Sequence, residues 1–516
     1  MKHPSLKRGA ANLIAGEWRE IAGDEVVSRN PARPASVVWS GSPVLSHVDD
    51  AIAAAREAFP KWAAWPMERR VAVLRRYQSI CKEREGAIAE LIADETGKVM
   101  WDSKGEAALL GAKVDITLDE TATGAMRRVS AFEVPIAAGR VGRASFRPHG
   151  VMAVLGPYNF PAHLPNGHIV PALAMGNTVV LKPSDKTPAV GQLLGELFQG
   201  ALDAEGAPRG VFNVVQGAAE VASSLSRHAG IDGILFTGSW PVGRRILEAN
   251  LDRPSRMIAL EMGGNNPAVV MPDADLKQAL IECVRCAFIT TGQRCTCTRR
   301  LILHEMIAGR FLSALAKAAS NLIVGDPRAA HPVFMGPIIN EASRRAVLDF
   351  QAQLAKAGGE VIVPSTAIET VEEGFYLTPS VVRVERFSVS DLVSDAGCDR
   401  EVFGPLLRVS VVRSLDEAIE QSNATNYGLA ASIFTTDAAA QARFLIECKA
   451  GCVNVNTGTA GASSKLPFGG VGMSGNHRPA GAFSLDYCAY PMASMIESGT
   501  MATTAVGMRI EDEWLR

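Results

Sequence analysis

At 516 residues the chain is too long for one ordinary core of roughly 150 residues, so two or three packed units are expected. Hydrophobic residues make up 47% and charged residues 21%, which excludes a disordered or fibrous chain and supplies a large core. Lys and Arg number 52 against 54 Asp and Glu, and a net charge of −2 offers no basic field for gripping nucleic acid.

The opening MKHPSLKRGAANLIAGEW carries positive charge but no apolar h-region, and no window approaches about eighteen uninterrupted apolar residues. A cytoplasmic protein without a membrane partner is expected. From Val48 to about Leu118 apolar residues recur at helical spacing, with Gly97 as a stop. The stretch RRVSAFEVPIAAGRVGRASFRPHG reads instead as a hairpin around AAGR. Strands then alternate with helices from GVMAVLGP through NTVVLKPSD, GVFNVVQG and GILFTGS to RMIALEMGG, the rhythm of a parallel sheet with crossover helices. A second series starts at NNPAVVM, with strands near RLILHE, LLRVSVV, LAASIFT and CVNVN, so a boundary falls close to Gly263 and Gly264. The tail LDYCAYPMASMIES is a further short strand.

The expected fold class is therefore α/β: two doubly wound α/β domains plus a small β element. Residues 1–126 and 147–262 form one domain and 263–455 the other. Residues 127–146 and 484–500 form the small element, whose edges either two subunits share or one protomer keeps to itself.

Four of the nine cysteines, Cys283, Cys286, Cys295 and Cys297, cluster in sequence. In Gly292-Gln293-Arg294-Cys295 a Gly-led turn holds a thiol beside a cation, which is expected to expose the sulfur and lower its pKa. Cys295 is thus a candidate nucleophile, against the alternative of a small buried hydrophobe. A four-thiolate metal site is disfavoured, because Cys283 and Cys286 fall in the apolar helical stretch IECVRCAF and the second pair has CxC spacing. No metal is expected.

Gly470-x-Gly472-x-x-Gly475 matches the dinucleotide fingerprint by letter, but it follows LPFG rather than a strand and reads as a surface loop. The better phosphate turn is Gly238-Ser239-Trp240-Pro241-Val242-Gly243, which runs from an apolar strand into a helix. Lys182 and Asp185 stand at the end of the NTVVL strand, where open α/β sheets bind ligands, or else in a solvated turn. Glu261 ends another strand before two glycines and is a candidate general base, or else an exposed turn carboxylate.

Tyr158-Asn159-Phe160-Pro161, KPSD, FTGS, EMGG, GQRC, EVFGP at 401–405 and PFGG at 467–470 occur in an order that resembles the NAD(P)-dependent aldehyde dehydrogenase superfamily over nearly the whole chain. GPYNFPAHLPNGHIVPAL, GQRCTCTRR and SGNHRP with DYCAYPMAS further resemble the branch that oxidises N-succinylglutamate 5-semialdehyde in arginine catabolism. The resemblance implies Cys295 as nucleophile, Glu261 as base for hydrolysis and Asn159 as oxyanion donor. It also implies NAD as cofactor, with Lys182 and Asp185 on the adenosine ribose, residues 238–243 against the pyrophosphate and Glu401 on the nicotinamide ribose. The first domain would then bind NAD, the second would be catalytic, the β element would serve oligomerisation, and a homodimer or homotetramer is expected.

The chain departs from the superfamily pattern at Tyr158, Met262, Asp185 and Arg400, and Arg400 is placed to form a salt bridge with Glu401. A dianionic substrate needs donors or cations, for which His163, His168, Arg294 and Arg478 are the candidates. The same residues are compatible with a dehydrogenase of another carboxylated semialdehyde, or with a non-catalytic protein that keeps this fold.

Overall fold

The computed structural model describes residues 2–498 and 504–516. Helices at Ser46–Ala63, Met67–Glu83, Glu85–Thr96 and Met100–Thr117 follow the apolar spacing, and Gly97 closes the third. Ahead of them lie strands that the periodicity did not signal, among them Ala11–Ile14 and Glu17–Glu20. Four residues are too few for alternation to register.

The first large sheet has the order Met257–Met262, Gly233–Gly238, Val151–Leu155, Thr178–Lys182, Phe212–Val214, Ala11–Ile14, Glu17–Glu20. Its first five strands run parallel, and the two N-terminal strands extend it antiparallel. Strands such as Val151–Leu155 and Thr178–Lys182 are buried throughout, as expected where helices cover both faces. Chain order reverses between Val151–Leu155 and Gly233–Gly238, which opens a crevice at their carboxyl ends.

The second sheet has the order Glu360–Val363, Ser380–Arg383, Leu406–Val412, Thr298–His304, Asn266–Val270, Ala430–Phe434, Cys452–Val455. It is parallel except at the Glu360–Val363 edge. The strands at 360–363 and 380–383 are short and were not anticipated. Only Gly263, Gly264 and Asn265 separate the last strand of one sheet from the first strand of the next.

The expected hairpin forms from Phe132–Ala137 and Arg140–Pro148, and the tail strand Ala489–Glu497 pairs with Arg140–Pro148. The two candidate edges therefore build one three-stranded sheet within the chain, with Phe132, Val134 and Ile136 exposed. Residues 499 and 500 of that element lie outside the described residues. Among the described residues no helix is long and apolar enough to cross a membrane.

Two arginines sit entirely inside the second unit. Arg300 donates to the carbonyls of Asn265 at 2.6 Å, Gln421 at 2.9 Å and Ser422 at 2.9 Å, closing the end of the Leu415–Asn423 helix where carbonyls lack intrahelical partners. Arg408 reaches the carbonyls of Cys398 and Arg400. Arg300→Met should strand those buried carbonyls and cost about 3 kcal/mol, read as a lower urea midpoint. An unchanged midpoint would show that the carbonyls find other donors.

Candidate active site

A cavity of about 880 Å³ occupies the crevice at the switch point and reaches the seam between the two sheets. Asn159, Glu261, Cys295 and Glu401 line it, together with Lys182, Asp185, Gly238, Ser239 and Val242. Residues from positions 159 to 401 thus face one space. Of the phosphate turn, Trp240 packs into the apolar cluster behind the cavity, and Gly243 is buried against the neighbouring strand. Pro241 faces solvent. The helix that starts at Trp240 has Ser239 as its cap residue without a side-chain cap bond; Pro241 has no N–H, and Val242 and Gly243 donate to the Ser239 carbonyl at 3.1 and 3.0 Å, so the Trp240 N–H is the donor left for an anion in this turn.

At the outer end of the cavity Lys182 is buried and Asp185 exposed. Burial pushes the Lys182 ammonium down to about 8, opposed by the nearby Asp185 carboxylate, so the lysine is still a cation at neutral pH. Lys186 lies over the Tyr158 ring at 4.6 Å.

The candidate nucleophile Cys295 follows an unusual turn. Thr290 and Thr291 have φ of 54° and 55°, and Gly292 follows at 71°. Left-handed backbone is costly for β-branched residues. A Cβ at Gly292 would lie 2.0 Å from the Gly404 carbonyl, so only glycine fits there. Thr290 Oγ1 donates to Asp102 at 2.6 Å and Thr291 Oγ1 to the Gly336 carbonyl at 2.8 Å. Arg299 donates to the carbonyls of Arg294 at 2.9 Å and Val402 at 2.7 Å. Asn266 donates to those of Cys295 at 2.7 Å and Cys297 at 2.8 Å.

Arg294 does not serve the thiol as the sequence led us to expect. Its guanidinium turns away to Asp102 at 2.7 Å and to Thr290 Oγ1 at 2.7 Å, and lies 4.9 Å from the Phe160 ring centre. The Cys295 pKa is accordingly raised, not lowered. Burial, with the Glu401 and Glu261 carboxylates adding to it, pushes the thiol up to about 12 against the weaker pull of Arg299. The expectation failed because adjacency in sequence does not set side-chain direction. Cys297 is fully buried behind the turn, and Cys283 and Cys286 are buried on the Leu276–Phe288 helix.

Glu261 is buried, and burial holds its carboxyl well above the usual range despite a hydrogen bond from the Ala480 N–H. Its Oε2 has no partner among the described residues. Glu401 accepts from the Gly264 N–H at 2.9 Å, and a Cβ at Gly263 would lie 1.8 Å from its carboxylate. Burial raises Glu401 to about 7, with Arg299, 3.8 Å away, opposing. The salt bridge foreseen for Arg400 does not form: Arg400 is exposed and Arg299 is the cation beside Glu401. Asn159 spends one amide hydrogen on the Gln293 carbonyl at 2.9 Å, which orients the group against the nucleophile turn.

The Gly470–Gly475 segment is a loop but not a surface one. Gly470, Ser474 and Gly475 are buried, Gly475 bridges the Glu261 backbone, and Ser474 Oγ donates to the Gly263 carbonyl at 2.6 Å. Of the candidates for a substrate anion, Arg478 is exposed and His168 is spent on Tyr487 at 2.8 Å and Thr237 at 3.1 Å. Asp102, Asn266 and Arg299 were not singled out from the sequence. Asp102 lies 192 positions from Arg294, and nothing local marks it.

The aldehyde dehydrogenase family model matches residues 18–492. N-succinylglutamate 5-semialdehyde dehydrogenase 2 of Caulobacter vibrioides is 42% identical over 498 residues, 95% of this chain and 97% of its own. The N-succinylglutamate 5-semialdehyde dehydrogenase of Hahella chejuensis is 41% identical, over 94% of this chain and 95% of its own. Among solved structures, PnpE from Pseudomonas sp. WBC-3 superposes with a TM-score of 0.87 at 30% identity, covering 97% of this chain and all of PnpE, and PnpE has also been solved with nicotinamide adenine dinucleotide. With this match over most of its length, the chain belongs to the aldehyde dehydrogenase family.

Proposed function

We propose that this protein is an NAD-dependent dehydrogenase that oxidises N-succinyl-L-glutamate 5-semialdehyde to N-succinyl-L-glutamate, a cytoplasmic step of arginine catabolism. The observation that carries the reading is the convergence of Asn159, Glu261 and Cys295 on one end of one cavity. The names of the relatives support the substrate, and the dinucleotide complex of PnpE supports the cofactor.

In this reading Lys182 and Asp185 hold the adenosine ribose, the 238–243 turn meets the pyrophosphate and Glu401 holds the nicotinamide ribose. The free N–H of Trp240 and the cation at Lys182 suit an anionic, phosphate-bearing ligand. Asp185 pairs with ribose hydroxyls and repels a 2′-phosphate, which favours NAD over NADP. Residues 1–126 and 147–262 form the cofactor domain, 263–455 the catalytic domain, and 127–146 with 484–500 the oligomerisation element of a homodimer or homotetramer. The exposed Phe132, Val134 and Ile136 support that last role.

Cys295 gives up its thiol proton to water in the cavity, Sγ adds to the aldehyde carbon, and the oxyanion so formed meets the Asn159 amide and the Cys295 N–H. Bound NAD supplies the acceptor for the hydride lost from that carbon, which leaves a thioester on Cys295. Glu261, whose raised pKa makes its ionised form the stronger base, then takes a proton from water in that ionised form. The water oxygen attacks the thioester, releasing the acid and the Cys295 thiolate.

Steady-state assays of succinylglutamate semialdehyde, succinate semialdehyde and hexanal with NAD and NADP test the reading. We expect the highest kcat/KM for the first aldehyde with NAD. Equal or better turnover of hexanal would overturn the substrate, and comparable NADP values would remove Asp185 as the selector. Glu261→Gln should spare the first burst of NADH and slow later turnovers roughly 10²–10⁴-fold. Equal loss of both phases would instead assign Glu261 to thiol activation or folding. Because the Cys295 thiol is raised to about 12, it is protonated at neutral pH without cofactor. Its alkylation by iodoacetamide, followed by peptide mass spectrometry, should climb with pH without a plateau below about pH 10. A plateau near pH 8 would reveal a stabilised thiolate.

A further inference from the structure

The strand Thr298–His304 carries two neighbouring arginines, and successive side chains of a strand leave it on opposite faces. Arg300 closes a helix end in the second unit, as described above. Arg299, equally buried, turns to the seam between the sheets. Its Nε donates to the Gly264 carbonyl at 3.3 Å and its Nη1 to the Val402 carbonyl at 2.7 Å. Its Nη2 donates to the carbonyls of Gly292 at 3.2 Å and Arg294 at 2.9 Å. One planar group thus holds the seam, the turn before Cys295 and the loop that carries Glu401. A lysine has only three donors and cannot make this set. Residues 399–405 lie in neither helix nor strand, so no ladder of backbone bonds fixes that loop.

The Gly264 peptide is gripped at both ends, its N–H by Glu401 at 2.9 Å and its carbonyl by Arg299. Between the two charged groups themselves the gap is 3.8 Å. That is too wide for a hydrogen bond but close for a charge in a dry site. Arg299 therefore acts on Glu401 without occupying its oxygens, and Glu401 still lines the cavity. The other titratable groups near Glu401 are Tyr158, Tyr427, Cys295 and Cys297. Burial pushes all four up, so they are neutral at pH 7. Arg299 is the positive charge that bears on Glu401.

We propose that Arg299 is a positioning residue of the dehydrogenase: it supplies the counter-charge for Glu401, and its four carbonyl bonds hold the Glu401 loop in register with the segment that carries Cys295. Through the first effect Glu401 stays able to accept from ribose hydroxyls. Through the second, the ribose it holds is set at a fixed distance from the sulfur. The inference rests on the reading of Glu401 as the residue that holds the nicotinamide ribose, and it adds what keeps that residue charged and aimed.

The test follows NAD affinity against pH by protein fluorescence, and the rate of first-turnover NADH formation with succinylglutamate semialdehyde. It compares the unmodified enzyme with Glu401→Gln, Arg299→Met and Arg299→Lys. In the unmodified enzyme affinity should fall on the acid side as Glu401 takes a proton, with a midpoint near 7. Lys182, lowered to about 8, governs the alkaline side and is read separately. Glu401→Gln should abolish the acid limb. Arg299→Met should move its midpoint up by about 1 pH unit or more, because an opposite charge at this range favours the ionised carboxylate. Arg299→Lys keeps the charge but not the fork, so the midpoint should stay while first-turnover NADH formation slows roughly 10- to 100-fold. An arginine with a merely structural role would leave the midpoint where it is. An unmoved midpoint in Arg299→Met, or an unslowed first turnover in Arg299→Lys, would overturn the inference and leave Glu401 its ribose. If Arg299→Met does not fold, the first turnover of Arg299→Lys decides alone. An acid limb that persists in Glu401→Gln would overturn the reading of Glu401 and the inference with it.

Discussion

A left-handed turn of three residues, Thr290 to Gly292, is the constraint around which the rest of the site is arranged. Each threonine in that backbone region costs of order 1–3 kcal/mol and persists only where its surroundings over-determine it. Here they do. Asp102 comes from a helix of the first unit, Gly336 from a loop of the second, Asn266 from the strand after the seam and Arg299 from the strand after Cys295. Unlocking the turn therefore means loosening both sheets at once. The carbonyls of Arg294, Cys295 and Cys297 are all taken by side chains, which leaves the thiol on a backbone with little freedom to drift.

The second feature is dryness. The same desolvation lifts the Cys295 thiol to about 12, Glu401 to about 7 and the Glu261 carboxyl well above its usual range. In such a medium each charge responds strongly to any other that arrives, because little water screens it. Arg299, 3.8 Å from Glu401 and buried against the Gly264 carbonyl, is the cation that Cys295 and Glu401 share. Its position explains why Glu401 can press against Gly263 and Gly264 at the seam, where a side chain on Gly263 would exclude it.

How much of this was legible in the sequence depends on the range of the interaction concerned. The alternation of apolar strands with helices marked both sheets, since strands buried on two faces must be apolar throughout. It missed Ala11–Ile14, Glu17–Glu20 and the strands at 360–363 and 380–383, which have only four residues each. The hairpin at 132–148 and the strand at 489–497 were both visible, but that they pair with each other was not, because register between distant segments leaves no local mark.

The site divides in the same way. Residue type and place at a turn or strand end marked Cys295 and Glu261 as candidates, the family resemblance added Asn159, and the fold brings the three to one cavity. The direction of Arg294 was decided elsewhere. A side chain's aim follows from what surrounds it, and a carboxylate on a helix 192 positions away, fully desolvated, outcompetes a neighbouring thiol for a guanidinium. The same holds for the protonation of Cys295. Local sequence determined which groups exist and on which elements they lie, whereas burial and the pairing of charges are properties of the packed whole, and only the tertiary structure decided them.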